Sequence, residues 1–485
     1  MAGVTVTGAG HEAGASLAEL MGFRDELYPC LTRRGDGLMG LADAMLCKPG
    51  PVDSPVELCM EPEFGRGHGS VFDCLNGGRI DFAALRAAQI AVLPPPLAGQ
   101  PMMFAIDQTP LARPDARYAD QMTMVQVRGK GGDAFLPGWK YSIAVGLSWG
   151  SSSWVSPVEA RRLKPGDDDT QVTVAQVNDL CDGLAAAGRW KPGDPPPLIC
   201  LDSGNSSTAI THGLEGRDVQ LVIRLKSNRS FRGRPGPRMP GRQGPARRHG
   251  ERLELKAGGQ RSVPDLHLVR QSDRYGEMQI TAWRHMHQEL DRSGSFRDWP
   301  RGQDLPVVEG TVVRMKVEHL PGGRKADKDM WLWIAGPSEP DAGLAGLAWK
   351  AYLRRFDQEH FHRFGKVYLG MDRAHLASAQ ATDRWVALAL AACTQLRLAA
   401  PLVPDSSRPW HKKLQAGQVL SPYRTRLGFP RLRPRLGTPA KPAKSVKPGP
   451  GRPKGSKNRP KPRQPVHRKG GSKPVKVPAA ASQGP

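Results

Sequence analysis

The chain has 485 residues, enough for about three domains or for one domain with a large insertion and loose ends. Its 39% hydrophobic content excludes disorder throughout, while 55 Gly and 45 Pro require long stretches of loop or linker. The formal charge of +24 is not spread evenly: 21 Lys and Arg lie beyond Asp405, the last acidic residue, which leaves 49 Lys and Arg against 46 Asp and Glu before it.

From Leu17 to about Val92 apolar residues recur at helical spacing, as Leu20, Phe23 and Leu27 do, then Leu38, Leu41 and Met45, and Phe82 to Val92 reads as a further helix. A helical domain over residues 1–96 is predicted, closed by Pro94-Pro95-Pro96. The next apolar run, Met102 to Ile106, ends on Asp107 and reads as a buried strand with a carboxylate at its tip. Tyr141 to Leu147 and Trp154 to Val158 are predicted as two strands joined by a tight turn, and Val174, Val177, Cys181 and Leu184 as an amphipathic helix. Leu198 to Leu201, ending on Asp202, is another strand, followed by a short helix and a strand over Val219 to Leu225. Three strands, helix, strand, helix, strand make an α/β core whose first part spans 97–227.

Residues 228–335 read as an Arg/Gly/Pro loop to about Gly250 and then a mostly β insertion, with strands at Leu266 to Arg270, Met278 to Trp283, Val307 to Val317 and Met330 to Ala335. The core resumes over 336–404 with one long helix, from a cap near Ser338-Glu339-Pro340 to about Lys366, and a last helix from Ala377 to Leu396. Its apolar run, Trp385 to Cys393, is the longest in the chain and falls far short of the ~20 residues of a membrane span. No basic-then-apolar leader opens the sequence, so no membrane partner is expected. Residues 405–485, rich in Pro, Gly, Lys and Arg, are predicted to be a disordered polybasic tail. Clustered cations gain by releasing counterions condensed on nucleic acid, so the expected partner is DNA or RNA. Seven cysteines without a Cys-x-x-Cys point to neither a disulfide framework nor a zinc ribbon and fit a reducing cytoplasm.

Carboxylates at strand ends are where an α/β sheet presents its site, which singles out Asp107 and Asp202. A third carboxylate would complete a metal cage. On the long predicted helix Tyr352, Arg355, Glu359 and Lys366 are spaced by three, four and seven residues and fall on one stripe, whereas Asp357 lies about 140° around from Tyr352. Glu359 is the preferred third ligand. Two Mg²⁺ ions, or Mn²⁺, held by three hard carboxylates can serve the attacking and leaving oxygens of a phosphodiester transfer. Arg355 and Lys366 on that stripe would hold phosphates, and Tyr352 would bond a phosphate or stack on a nucleotide. His360 and His362, two apart on different helix faces, are read as surface or phosphate contacts and not as metal ligands.

The spacing Tyr352, Arg355, Glu359, Lys366 resembles the YREK signature of bacterial insertion-sequence DDE transposases. Segments such as Gly22-Phe23-Arg24-Asp25-Glu26-Leu27, Gly67-His68-Gly69 and Arg113-Pro114-Asp115-Ala116 are similar to transposases of actinobacterial type. The resemblance covers roughly Leu17 to Pro404. It implies an RNase H-like (retroviral-integrase-like) catalytic core, with Asp107, Asp202 and Glu359 as catalytic and metal-binding residues. It also implies cut-and-paste transposition: cleavage at the element's terminal inverted repeats and strand transfer into target DNA, by a homodimer in the synaptic complex. Such a protein would be bacterial, cytoplasmic and nucleoid-associated, with the N-terminal helices binding element ends. In relatives the insertion carries a tryptophan that supports a flipped base; Trp331 resembles it in position, and Trp333 is read as plain core on the opposite strand face. In the tail, Gly451-Arg452-Pro453-Lys454-Gly455-Ser456-Lys457 resembles an AT-hook, in which Arg452 and Lys454 would enter the minor groove. Two other readings stand beside this one: a transposase-derived DNA-binding protein that no longer cleaves, and a nuclease that hydrolyses without joining.

Overall fold

A computed structural model describes residues 8–475 apart from 130–131, 151, 238–246, 259–262, 274, 322–323, 327, 407, 412, 415–417, 444–452, 458–461 and 469–473. In chain order the elements are α1 (Gly8–Cys30), α2 (Gly35–Cys47), α3 (His68–Gly77), α4 (Phe82–Ala91), β1 (Met103–Ala112), β2 (Met122–Gly129), β3 (Gly132–Leu147) and β4 (Ser156–Leu163). These are followed by α5 (Asp169–Ala186), β5 (Leu198–Leu201), α6 (Ser207–Gly213), β6 (Gln220–Leu225), β7 (Ser230–Arg232), β8 (Arg252–Glu254), β9 (Leu266–Ser272), β10 (Gly276–Met286) and β11 (Gly310–Val317). The remainder are β12 (His319–Leu320), β13 (Arg324–Lys325), β14 (Met330–Ala335), α7 (Ala342–Arg354), α8 (Phe356–Val367), α9 (Ala379–Ala399), α10 (Pro422–Leu436), β15 (Val466–His467) and β16 (Pro474–Val475). The chain is α/β and forms two compact units, one of residues 1–94, 108–167 and 357–485, the other of 95–107 and 168–356.

The second unit is built on a mixed sheet. β1 pairs in parallel with β5, and β5 with β6; β14 then joins β6 antiparallel, and β11, β10 and β9 continue antiparallel outward. The β insertion thus extends the core sheet through β14. Its short neighbours are two separate hairpins, β7 with β8 and β12 with β13. β5, Leu-Ile-Cys-Leu, is wholly buried, as a four-residue strand flanked on both sides by parallel partners should be. α5 starts where Asp168 accepts from the N–H groups of Thr170 and Gln171, and α7 where Asp341 accepts from Leu344 N, three residues beyond the cap read from the sequence.

Residues two apart on a strand share a face, so Trp331 and Trp333 do not face oppositely, which corrects the reading of Trp333 from sequence. Both are buried, at 3% and 0% exposure. Trp331 stacks on Trp283 with ring centroids 5.8 Å apart; Trp333 stacks on Phe231 at 5.4 Å and donates its indole N–H to Thr211 Oγ1. Gly310 lies against the Trp333 ring, so close that a Cβ there would come within 2.4 Å of it.

In the first unit α9 is the central element: nearly all of its residues are buried, with α1, α2, α3, α10 and β4 packed around it. Arg24, on α1, is wholly buried and bonded to both carboxylate oxygens of Asp43. β2, β3 and β4 are antiparallel neighbours, and β15 adds in parallel to β2, pairing Val466 with Met122. β2 and the first half of β3 escape prediction, because their apolar residues are interrupted by Gly, Lys and Arg near the turn.

α10 corrects the tail. Residues 422–436 carry five arginines and two internal prolines, a composition that reads as disordered, yet Phe429, Leu432 and Leu436 recur at helical spacing and are buried. Ser421, accepting from Arg424 N, caps the helix with proline in its first turn. Three of its arginines are absorbed by partners, Arg426 donating to Met45 O and Gly50 O, Arg433 to Asp43 and Arg424 to Asp405, while Arg431 and Arg435 are exposed. Counting charges alone conceals that Arg424, Arg426 and Arg433 belong to the folded body.

Candidate active site

Strand register brings Asp107 and Asp202 together. The last paired residues of β1 and β5 are Ile106 and Leu201, and the next residue on each strand is an aspartate. Asp202 follows the end of β5, as predicted; Asp107 is not at a tip, because β1 runs on to Ala112 with Thr109 and Leu111 buried in alternation. Both side chains are partly open to solvent, 23% for Asp107 and 42% for Asp202.

The group that faces both is Arg355, 5% exposed. Its Nη1 lies 3.3 Å from Asp107 Oδ2 and its Nη2 3.9 Å from Asp202 Oδ1. These separations exceed the ~2.7–2.9 Å of a tight charge-assisted bond. Tyr352, one turn earlier on α7, donates its hydroxyl to Asp202 Oδ1 at 3.3 Å. Burial pushes its phenol up to about 12, Asp202 adding to the shift and Arg355 opposing it, so near neutral pH Tyr352 is a hydrogen-bond donor. The Arg355 guanidinium sits 5.5 Å from the Tyr352 ring centroid, and that of Arg224, on β6, 5.9 Å from it. Sequence reasoning misses Arg224, although an arginine inside the apolar run Val219 to Leu225 is a signal in itself.

The stripe of four does not lie on one uninterrupted helix. α7 ends at Arg354 and α8 begins at Phe356; between them Arg355 keeps right-handed helical angles but donates its N–H to the carbonyls of both Ala351 and Tyr352, a tightened turn. The 3.6-residue rhythm runs on across this turn, which is why the sequence reads as one helix. In the first unit Glu359 is exposed in the first turn of α8, where the positive end of the helix favours carboxylates. Lys366 donates to Pro110 O at 2.9 Å, which ties it to the last part of β1. His360 is exposed and His362 buried.

Trp331 lies under its stack on Trp283, with the Arg314 guanidinium 5.7 Å from its ring centroid. Lys454 is exposed, and Arg452 lies outside the described residues. Among the described residues no three His, Cys, Asp or Glu side chains converge as a preformed metal cage would require. Asp107 and Asp202 nevertheless suit a hard divalent cation: both are oxygen donors, both are reachable, and a positive charge already stands between them. No helix among the described residues is long and apolar enough to cross a membrane.

A sequence model of the DDE superfamily endonucleases matches residues 26–290, more than half of the chain. The chain belongs to that family. The match includes Asp107 and Asp202 and ends before Glu359. No curated protein matches. Among solved structures the NurA nuclease from Sulfolobus solfataricus is similar over 55% of this chain and 83% of that one, at 9% identity and a TM-score of 0.19, a superposition too loose to carry an argument.

Proposed function

We propose that this DDE endonuclease-family protein is a DNA transposase that cuts beside the terminal repeats of its own element and joins the freed ends to target DNA. The observation that carries the reading is the Asp107–Asp202 pair on adjacent parallel strands, both turned toward Arg355. Parallel β1, β5 and β6 support the reading of an RNase H-like core. In this reading Glu359 is the third carboxylate, and Asp107, Asp202 and Glu359 would hold two Mg²⁺ or Mn²⁺ ions. When bound, the ions supply Lewis-acid stabilisation to the attacking and leaving oxygens.

The chain's own residues have the following parts. Asp107 and Asp202 hold negative charge that binds cations and repels the DNA backbone until that charge is neutralised. Arg355, placed beside both carboxylates, is a planar two-pronged donor suited to a phosphate oxygen at this site. Tyr352 keeps Asp202 oriented through its hydroxyl. Exposed Lys454, with Arg452, serves the minor groove, and the N-terminal helices bind element ends. A homodimer brings two ends together, in the bacterial cytoplasm at the nucleoid.

The test incubates the protein and the variants Asp107→Ala, Asp202→Ala and Glu359→Ala with end-containing DNA, target plasmid and Mg²⁺. Joined products from the parent protein, reduced at least about a hundredfold in each variant with DNA binding kept, are expected. Cuts without joining would support a plain nuclease, and near-normal cutting by Glu359→Ala would remove it from the set.

A further inference from the structure

The first unit holds a cavity of about 220 Å³, whose lining includes His360 but none of the residues proposed as metal ligands. It opens beside α8, one residue beyond Glu359. Trp154, Phe361, Phe364 and Tyr423 supply aromatic walls, and His360 and Ser153 supply polar groups. The walls are held firmly. Trp154 is nearly buried and donates its indole N–H to Leu420 O at 2.7 Å, while Phe361 and Phe364 are buried on the inner face of α8. The volume is below the roughly 300–1,000 Å³ of a site for a drug-sized ligand, so it suits a single ring system.

The surroundings indicate which ring. Tyr423 continues outward through contacts with Tyr368, centroids 4.8 Å apart, and with His411 at 5.9 Å; His411 meets Trp410 at 6.1 Å. Trp410 is 73% exposed, and the Arg408 guanidinium lies 5.5 Å from its ring centroid. A free apolar metabolite has no use for an exposed tryptophan paired with a cation. A single DNA strand does, because successive bases stack on aromatic faces while cations follow the phosphates. An aromatic cavity with a few polar groups is likewise how proteins hold a base taken out of the stack.

We propose that the cavity between the segment preceding β4, α8, α9 and the start of α10 receives one unpaired nucleobase of single-stranded DNA, with Trp410 and Arg408 contacting the strand outside it. This rests on the DNA-acting reading above and adds a binding site to it. His360 and Ser153 bond the edge of the base; Phe364 and Tyr423 take its faces.

The experiment titrates the full chain into a short thymine oligonucleotide carrying one 2-aminopurine, and into the same oligonucleotide with an abasic position there. Fluorescence reports stacking and anisotropy reports affinity. Stacking in the cavity should quench 2-aminopurine, and Ser153→Leu, which fills the cavity from its rim, should abolish the quench and weaken binding of the base-containing strand about tenfold. Affinity for the abasic strand should not change. His360→Ala, at an exposed position that folding tolerates, should weaken the base-containing strand in the same direction. If both variants retain the parent's quench and affinity, the cavity holds no base and the proposal falls while the DNA reading stands. If the parent binds neither these strands nor duplex DNA, both fall.

Discussion

Two of the clusters in which arginine meets aspartate differ in almost every physical respect. In the first unit Arg24 and Arg433 converge on Asp43, with Gln395 and the Gly437 carbonyl as further acceptors for Arg24. Arg24 and Asp43 are 1% exposed, and their contact is 2.6 Å. In the second unit Arg355 faces Asp107 and Asp202 at 3.3 and 3.9 Å, and only the arginine is buried. The first cluster has more cation than carboxylate and is sealed. The second has more carboxylate than cation, and its carboxylates are open. Charge of one sign left accessible on neighbouring strands is what a site requires; charge neutralised and shut away between helices is architecture.

Substitutions should separate the two. Asp202→Asn keeps the shape of the second cluster and should abolish Mg²⁺-dependent cleavage, at least about a hundredfold, with the unfolding midpoint almost unchanged. Asp43→Asn should do the reverse, destabilising by about 3–5 kcal/mol because two guanidinium groups packed inside the unit are deprived of their shared anion. Denaturant unfolding alongside a cleavage assay measures both, and a large drop in stability in Asp202→Asn would make the second cluster architectural too.

A second contrast concerns the tryptophans of β14. Each is buried and stacked, so Trp331→Ala and Trp333→Ala should both destabilise by about 3–5 kcal/mol. Trp333→Ala also leaves Thr211 without its indole donor. If Trp331→Ala left stability intact and slowed only a step after first-strand nicking, Trp331 would be the base-supporting residue that the family resemblance suggests.

How much of the molecule is legible in its sequence is uneven, for physical reasons. β5 and β14 are delimited to the residue, because an uninterrupted apolar run bounded by aspartate at one end and by proline or glycine at the other has few other solutions. The side-by-side placement of Asp107 and Asp202 is not legible: each reads as a strand-end carboxylate, which holds for Asp202 but not for Asp107, and the register that makes them neighbours is a long-range fact. The turn at Arg355 is not legible, since helical spacing persists through it. α10 is hidden because guanidinium groups that end on Met45 O, Gly50 O and Asp43 look, in sequence, like solvated charge. Arg24 pairing with Asp43 cannot be read at all: nineteen residues separate them and no local pattern joins them.

Arg355 sharpens the comparison from inside the second cluster. If it stands in for bound cations, Arg355→Gln leaves two carboxylates facing each other, and the variant should be less stable in chelator than the parent. Mg²⁺ should then restore more stability to the variant than it adds to the parent, on the order of 1–2 kcal/mol at saturating concentrations. Thermal unfolding with and without Mg²⁺ reads this directly. Equal responses would mean that Arg355 and the cation do not share a place.

The smallest effect divides the basic C-terminal region itself. Arg424 and Arg426 of α10 are buried and engaged, and burial lowers Arg426 to about 10 because loss of solvent penalises the charged form. Lys454 and Lys457 are exposed. Nucleic acid rewards only cations that can displace counterions, so the two groups should differ although their formal charges are equal. The double variant Lys454→Gln, Lys457→Gln should leave the unfolding midpoint alone and reduce the slope of log affinity against log salt by up to about 1.8, roughly 0.9 for each phosphate no longer neutralised. Arg426→Gln should instead lower the midpoint and leave the slope unchanged, because its guanidinium is turned into the folded body and away from solvent. A salt slope that moved with Arg426 and not with the lysines would place the DNA-facing charge on α10 and reverse the division drawn here.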